Sequence, residues 1–298
     1  MLEINDLSKS FDGFAALDHA SMHIDDGCIY GLVGPNGAGK TTIIRHIAGA
    51  LRPDSGTVLY NGQPVYENPE VKQHFAYIPD DVFYHHGDNL NDLRRFYRGL
   101  YPNFDDELFD RLSEAFPAID RKKHIRSLSK GMQKQAAFWL SICTRPDFMI
   151  LDEPVDGLDP VMRRQIWSLI MSDVSGRGTT VLISSHNLRE LEDVCDHVGI
   201  MDKGRVLLER SLEELQGNVS KYQIILNEGA ALPEGLIILH ESTIGRVTTL
   251  IIRGAIEDVS AQLRPLSPAL LDVLPLSLEE IFIYEMGGEN YAVHEILL

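Results

Sequence analysis

The chain has 298 residues, 44% hydrophobic and 24% charged, with a formal net charge of −17. That is enough apolar material for one large core or two domains, and a surface this acidic argues against broad non-specific binding to nucleic acid. The three cysteines, Cys28, Cys143 and Cys195, are far apart and show no C-x-x-C spacing, so they read as buried thiols of a reducing compartment and not as disulfides or zinc ligands. The first residues carry no secretory pattern and no apolar run approaches a membrane-spanning length, so work at a membrane would need a second, spanning protein.

In chain order, Leu2–Asn5 and Ala20–Ile24 alternate apolar with polar residues and predict strands of an antiparallel sheet. Between them, Phe11 is either a platform for a purine base, with Phe14 as the second choice, or a ring that closes the strand onto the core. Cys28–Val33 is an apolar run that reads as a buried strand. It leads into Gly34-Pro35-Asn36-Gly37-Ala38-Gly39-Lys40-Thr41-Thr42, which fits G-x-x-x-x-G-K-[ST], and Ile43–Ala48 continues with helical character. Glycines at these positions let consecutive N–H groups turn inward on an anion, and the helix N-terminus adds partial positive charge. Lys40 would reach the β- and γ-phosphates of a nucleotide and the Thr41 hydroxyl would hold Mg²⁺.

Thr57–Tyr60 with Asn61-Gly62 predicts a strand and a hairpin turn, and His74–Pro79 a core strand followed by Asp80. From about 89 to 145 the apolar residues Leu90, Leu93, Phe96, Tyr97 and Leu100, then Leu108, Leu112, Ala115 and Phe116, recur at helical spacing, as in a helical insert. Leu128-Ser129-Lys130-Gly131-Met132-Gln133 opens a further helix. Phe148–Leu151 reads as a buried parallel strand that delivers Asp152 and Glu153 at its C-terminal end, where open α/β sheets bind ligands. Two carboxylates there are costly unless a cation or a proton transfer uses them. Asp152 fits the Walker B position that holds Mg²⁺, and Glu153 is placed to polarise a water as general base.

Val155–Pro160 is a turn into a helix, Val161–Met171. Thr179–Ser184 is a strand followed by Ser185-His186, and a helix is predicted from Asn187 through Asp196. Val198–Met201 and Arg205–Leu208 flank a hairpin at Asp202-Lys203-Gly204, and Ser211–Leu215 is a short capped helix. After about Gly217, strands at Tyr222–Leu226, Leu236–Leu239 and Val247–Ile252 and helices at Ile256–Leu263 and Ser277–Tyr284 predict a small α+β domain without a catalytic constellation.

Taken together and in order, Gly34–Thr42, Leu128–Met132, Ile150–Glu153, Leu158-Asp159 and His186 resemble the motifs of the ATP-binding cassette (ABC) ATPases over roughly Met1–Leu215. The resemblance implies an α/β P-loop NTPase fold with an antiparallel β subdomain: a cassette domain over 1–215 with its insert at about 89–145, then an accessory α+β domain over 216–298. In that family two cassettes face head to tail and sandwich two ATP molecules. Ser129 and Gly131, with Lys130 between them adding positive charge, would then contact the γ-phosphate of an ATP held by the other subunit, and Asp159 would sit in the loop that crosses the dimer. His186 would hydrogen-bond the γ-phosphate and orient Glu153 and the water.

Two departures stand out. The signature reads Ser-Lys-Gly-Met where the family has Ser-Gly-Gly-Gln, and Asp80 stands where a Gln usually contacts Mg²⁺ and water. A carboxylate at that place can also bind Mg²⁺, with altered affinity. The implied cofactors are ATP and Mg²⁺. The implied partners are a second cassette and a separate membrane permease docked on the Tyr77–Arg145 region, with no nucleic acid, at the cytoplasmic face of the cell membrane. The C-terminal appendix is similar to the tails of bacterial export-type cassettes. The alternatives are an ABC ATPase without a permease and a degenerate regulatory partner in a heterodimer, the latter motivated by Asp80. With Glu153 and His186 both present, hydrolysis is expected.

Overall fold

The computed structural model describes residues 1–82, 84, 87–227 and 230–286. Residues 83, 85 and 86 of the expected docking region and 287–298 of the expected accessory domain lie outside the described residues. The chain divides into two compact units, one of Met1–His186 with His197–Glu209, the other of Asn187–Asp196 with Arg210–Leu298.

In the first unit, β1 (Leu2–Phe11) and β2 (Phe14–Ile24) form an antiparallel hairpin closed by Asp12-Gly13, both with positive φ. The stretch expected to connect two short strands is therefore itself strand. Register shifts between Ile4 and Leu7 and again between Leu7 and Lys9 interrupt the two-residue alternation, so the pattern conceals the strand's length.

The phosphate-loop segment follows, with β3 (Ile29–Val33) before it and α1 (Lys40–Ile47) after it. Then come β4 (Ser55–Tyr60), β5 (Gln63–Pro64), α2 (Pro69–Lys72) and β6 (Phe75–Ile78). Three helices occupy the insert: α3 (Leu90–Leu100), α4 (Asp106–Ala115) and α5 (Lys130–Cys143). They are followed by β7 (Phe148–Asp152), α6 (Pro160–Arg177), β8 (Thr180–Ser185), β9 (His197–Asp202) and β10 (Arg205–Ser211).

One sheet has the order β2-β1-β4-β5, and the other β10-β9-β3-β8-β7-β6, with parallel pairing from β9 to β6. Every residue of β3, β7 and β8 is buried, as in parallel strands covered on both faces. A single core joins Leu2, Ile4, Val58 and Tyr60 of the antiparallel sheet to Ile43 and Ile47 of α1 and Phe148 and Ile150 of β7.

The helix predicted over Asn187–Asp196 is instead one 3₁₀ turn, Leu188–Glu190, and a run of turns. The backbone bonds alternate between three- and four-residue spacing: Leu191 and Glu192 both donate to Leu188, and Val194 and Cys195 both donate to Leu191. No continuous helical ladder builds from such a pattern.

The second unit holds α7 (Leu212–Gly217), β11 (Val219–Ile225), β12 (Ile237–Ile244), β13 (Val247–Arg253), α8 (Ile256–Leu263), β14 (Leu270–Leu274) and α9 (Leu278–Met286). Its antiparallel sheet runs β12-β13-β11-β14 around Tyr222, Ile224, Leu250, Ile252, Val259 and Leu263. Strand β14 went unpredicted because none of its five residues is fully buried and no clean alternation marks it. Among the described residues no helix is long and apolar enough to cross a membrane. The three cysteines are buried and none is in a disulfide.

The helical insert is anchored by Trp139 of α5. It is fully buried between Phe109 and Phe116, with ring centroids 5.2 and 5.7 Å away, and its Nε1–H donates to the Phe109 carbonyl at 2.8 Å. Trp139→Ala should cost about 3–5 kcal/mol, as large-to-small changes in packed cores do, read from the urea midpoint of the unfolding transition; a shift worth under about 1 kcal/mol would deny Trp139 that anchoring role.

Candidate active site

The phosphate loop needs its glycines for two separate reasons. At Gly34, φ is not positive, but a Cβ would lie 2.1 Å from the Met201 carbonyl oxygen at the end of β9. At Gly39, φ is +107° and a Cβ would also meet the Ala16 carbonyl at 2.8 Å. Lys40, nearly buried, crosses the loop and donates to the carbonyls of Gly34 at 2.6 Å and Pro35 at 3.3 Å. Burial pulls its ammonium below the usual lysine range, and the nearby Glu153 and Asp152 carboxylates pull it back up.

The loop opens on a cavity of about 400 Å³ lined by Phe11, Phe14, Ala16, Pro35, Asn36, Gly37, Ala38, Gly39, Lys40, Thr41, Thr42, Asp80 and Glu153. Phe11 is 42% exposed and Phe14 68% exposed, so neither ring closes onto the core; both flank the hairpin turn at the cavity's edge.

Parallel register sets the acidic pair. Asp152 of β7 lies opposite Ser184 of β8. The Ser184 hydroxyl donates to Asp152 Oδ1 at 2.5 Å and accepts the Glu153 backbone N–H at 3.1 Å. Sequence reasoning passed over Ser184 as a site residue, and its signal was a hydroxyl at the buried end of a strand beside a carboxylate. Glu153 has φ of 46°, a left-handed conformation that residues with a Cβ adopt at a cost of roughly 1–2 kcal/mol. Its carboxylate sits between an imidazole and an ammonium: His186 Nδ1 is 3.0 Å from Oε2, and Lys40 Nζ is 3.7 Å from Oε1. Burial raises the Glu153 carboxyl above the usual glutamate range, against the opposing pull of His186 and Lys40.

Of the remaining predicted residues, Asp80 lines this cavity, and Ser129, Lys130, Gly131 and Asp159 do not. Ser129 is the N-cap of α5, its hydroxyl accepting the Met132 N–H at 3.3 Å. Ser129 and Lys130 are exposed, Gly131 is half-buried against Leu158, and none of the three lines the phosphate-loop cavity. The Asp159 carboxylate caps α6, accepting the N–H groups of Val161 and Met162 at 3.0 Å each. Asp80 is on the cavity wall, and its Oδ1 accepts from Lys134 Nζ at 3.0 Å. Lys134 drew no attention in the sequence because a lysine within a helix reads as a solvated residue.

Among the described residues there is no cluster of three or more His, Cys, Asp and Glu suited to a metal. The donor types at hand are of the kind that Mg²⁺ takes. It keeps few protein ligands and completes its shell with water and phosphate oxygens, and one hydroxyl with one carboxylate, Thr41 and Asp152, suits that habit.

A strand, a glycine turn, a helix and a second strand that ends in an acidic pair, all on one parallel sheet, define a P-loop nucleotide hydrolase. The ABC transporter family model matches residues 17–156. The chain is 34% identical to the ABC transporter ATP-binding protein YtrB of Bacillus subtilis (strain 168), over 97% of this chain and 99% of that protein. It is also 34% identical to the daunorubicin/doxorubicin resistance ATP-binding protein DrrA of Streptomyces peucetius, over 73% of this chain and 67% of that one. A solved ATP-binding subunit of an ABC transporter superposes with a TM-score of 0.66 at 28% identity, over 72% of this chain and 92% of that chain. The protein belongs to the ABC transporter ATP-binding proteins, the nucleotide-binding subunits whose hydrolysis of ATP powers transport.

Gly34→Ala should weaken nucleotide binding by at least about tenfold, or about 1.4 kcal/mol, because the added methyl drives the loop off the Met201 carbonyl. A fluorescent-nucleotide titration checks this, and unchanged affinity would show that the loop accommodates a Cβ there.

Proposed function

We propose that this chain is the ATP-hydrolysing subunit of an export transporter, in which two cassettes close on two ATP molecules and drive a separate membrane permease. What carries the reading is the Glu153 carboxylate, held between His186 and the phosphate-loop Lys40 at the cavity wall. The nucleotide's phosphates would lie in the loop Gly34–Thr42, and its base against Phe11 or, failing that, Phe14. Mg²⁺, held by Thr41 and Asp152, supplies positive charge to the phosphate oxygens when bound.

Glu153 then takes a proton from the attacking water as its oxygen bonds to the γ-phosphorus. The bond to the β–γ bridging oxygen breaks, and ADP and phosphate remain. Lys40 and His186 donate to the γ-phosphate oxygens, where charge gathers in the transition state.

Exposure of the Ser129 turn away from its own cavity supports the head-to-tail arrangement. A capped helix N-terminus with Lys130 and Gly131 beside it is a ready anion site for a nucleotide held by another copy, and Asp159, at the start of α6, would face the same partner. A cavity of about 520 Å³, lined by Tyr77, Leu93, Phe96 and Tyr97 and edged by Asp81, Asp88 and Asp92, supports docking of a permease segment on this side. Export is favoured by the likeness to a drug-resistance subunit, and the site of action is the cytoplasmic face of the cell membrane. The cassette domain is taken as 1–215, with its insert at about 89–145, and the accessory domain as 216–298. Retention of both Glu153 and His186 disfavours a degenerate partner.

Glu153→Gln should lower ATP turnover by at least about 100-fold while ATP still binds, and should accumulate an ATP-bound dimer on gel filtration. A variant that stays monomeric with saturating ATP would break the two-cassette reading. The base works ionised, so protonation on its acid side removes activity. With the Glu153 carboxyl raised in the free protein, kcat/KM should fall as pH drops through a value above the ordinary glutamate range. A wild-type acid limb confined to the ordinary range would show that another group sets it.

A further inference from the structure

Lys134 lies on α5, one turn beyond the Ser129 cap, and is 8% exposed. An ammonium has three N–H donors. Here they meet three acceptors: Asp80 Oδ1 at 3.0 Å, the Glu153 carbonyl at 2.9 Å and the Asp156 carbonyl at 3.2 Å. One buried cation thus ties together the loop after β6, the turn that carries Glu153, and the approach to Asp159.

Two consequences follow from this geometry. First, the left-handed backbone at Glu153 has to be held from both sides. Ser184 holds its N–H, while its carbonyl accepts from the Asp156 N–H at 3.3 Å and from Lys134. Second, Asp80 places a negative charge on the wall of a cavity that takes phosphates, and Lys134 offsets it at contact distance. The pair presents no net charge there, as a neutral side chain would. Removing either member leaves the other as an uncompensated charge, which for the buried Lys134 is the expensive case.

We infer that Lys134 is a positioning residue for hydrolysis. It couples the helix that begins at Ser129 to the backbone of Glu153, and Asp80 serves as its counter-ion and not as a metal ligand. This rests on the reading of Glu153 as the base. When the turn at Ser129 engages a nucleotide, α5 and the Glu153 turn move as one piece through the Lys134 ammonium.

The test is steady-state ATPase kinetics on the full chain, with Mg²⁺ titrations and equilibrium binding of a non-hydrolysable ATP analogue. The variants are Lys134→Met, Lys134→Arg, Asp80→Asn and the double variant Asp80→Asn with Lys134→Met, with Glu153→Gln as reference. Lys134→Met should lower kcat at least about tenfold with the analogue's Kd within about twofold, and Lys134→Arg should recover part of kcat. Asp80→Asn should leave the Mg²⁺ midpoint within about twofold, and the double variant should lose less than the product of the two single losses. If Lys134→Met fails to fold, Lys134→Gln, which keeps N–H donors without the charge, is read by the same criteria.

An unchanged kcat in the folded Lys134 variant, or single losses that simply multiply, overturns the coupling. A tenfold shift of the Mg²⁺ midpoint in Asp80→Asn overturns the counter-ion assignment. If Glu153→Gln keeps turnover, the base reading fails; if Glu153→Gln is inactive while Lys134→Met is not, only the positioning role fails.

Discussion

Parallel pairing of three buried strands is the constraint on which the site depends. Ser184 of β8 is paired with Leu32 of β3 on one side and Asp152 of β7 on the other, so the strand ends arrive in one row. The phosphate loop leaves from the first strand, the acidic pair from the second and His186 from just beyond the third. A slip of one residue would turn Asp152 to the opposite face and detach the Ser184 hydroxyl from it. The register is secured by uninterrupted burial of all three strands, so the apolar core and the polar row are set by the same pairing.

Charge at this row is arranged so that each buried ion has a partner. Lys40 has the Gly34 and Pro35 carbonyls and Glu153; Glu153 has His186; Asp152 has Ser184; Lys134 has Asp80 and two carbonyls. Burial drives Glu153 and Lys40 toward their neutral forms in opposite senses, and their mutual attraction opposes both shifts. Groups coupled in this way behave as a set, so deleting one changes the protonation and position of its neighbours as well as its own contact.

The helical insert and the second unit are built on different physics. In the insert, one aromatic cluster around Trp139 fixes α4 on α5, while Phe96 and Leu100 of α3 stay exposed. The second unit relies on an antiparallel sheet whose core is small, with Tyr222 using its hydroxyl to bond both the Ile256 carbonyl and Ser260.

Much of this molecule was legible in order along the chain. Short runs rich in apolar residues marked β3, β7 and β8, glycine spacing marked the phosphate loop, and helical periodicity marked the insert. These are local patterns, and the physics behind them is local. The helix expected after His186 was misread, and β14 and the full length of β1 were missed, because bulges, alternating turn bonds and half-exposure erase the period that sequence reasoning relies on. The site divides along the same line. Residue types at Lys40, Thr41, Asp152, Glu153 and His186 were enough to propose their chemistry from sequence alone. Only the folded chain could bring Ser184 beside Asp152, place a Gly34 Cβ against the Met201 carbonyl, and put Lys134 within reach of Asp80, 54 residues away, because those contacts exist only once strands and helices remote in sequence are packed together.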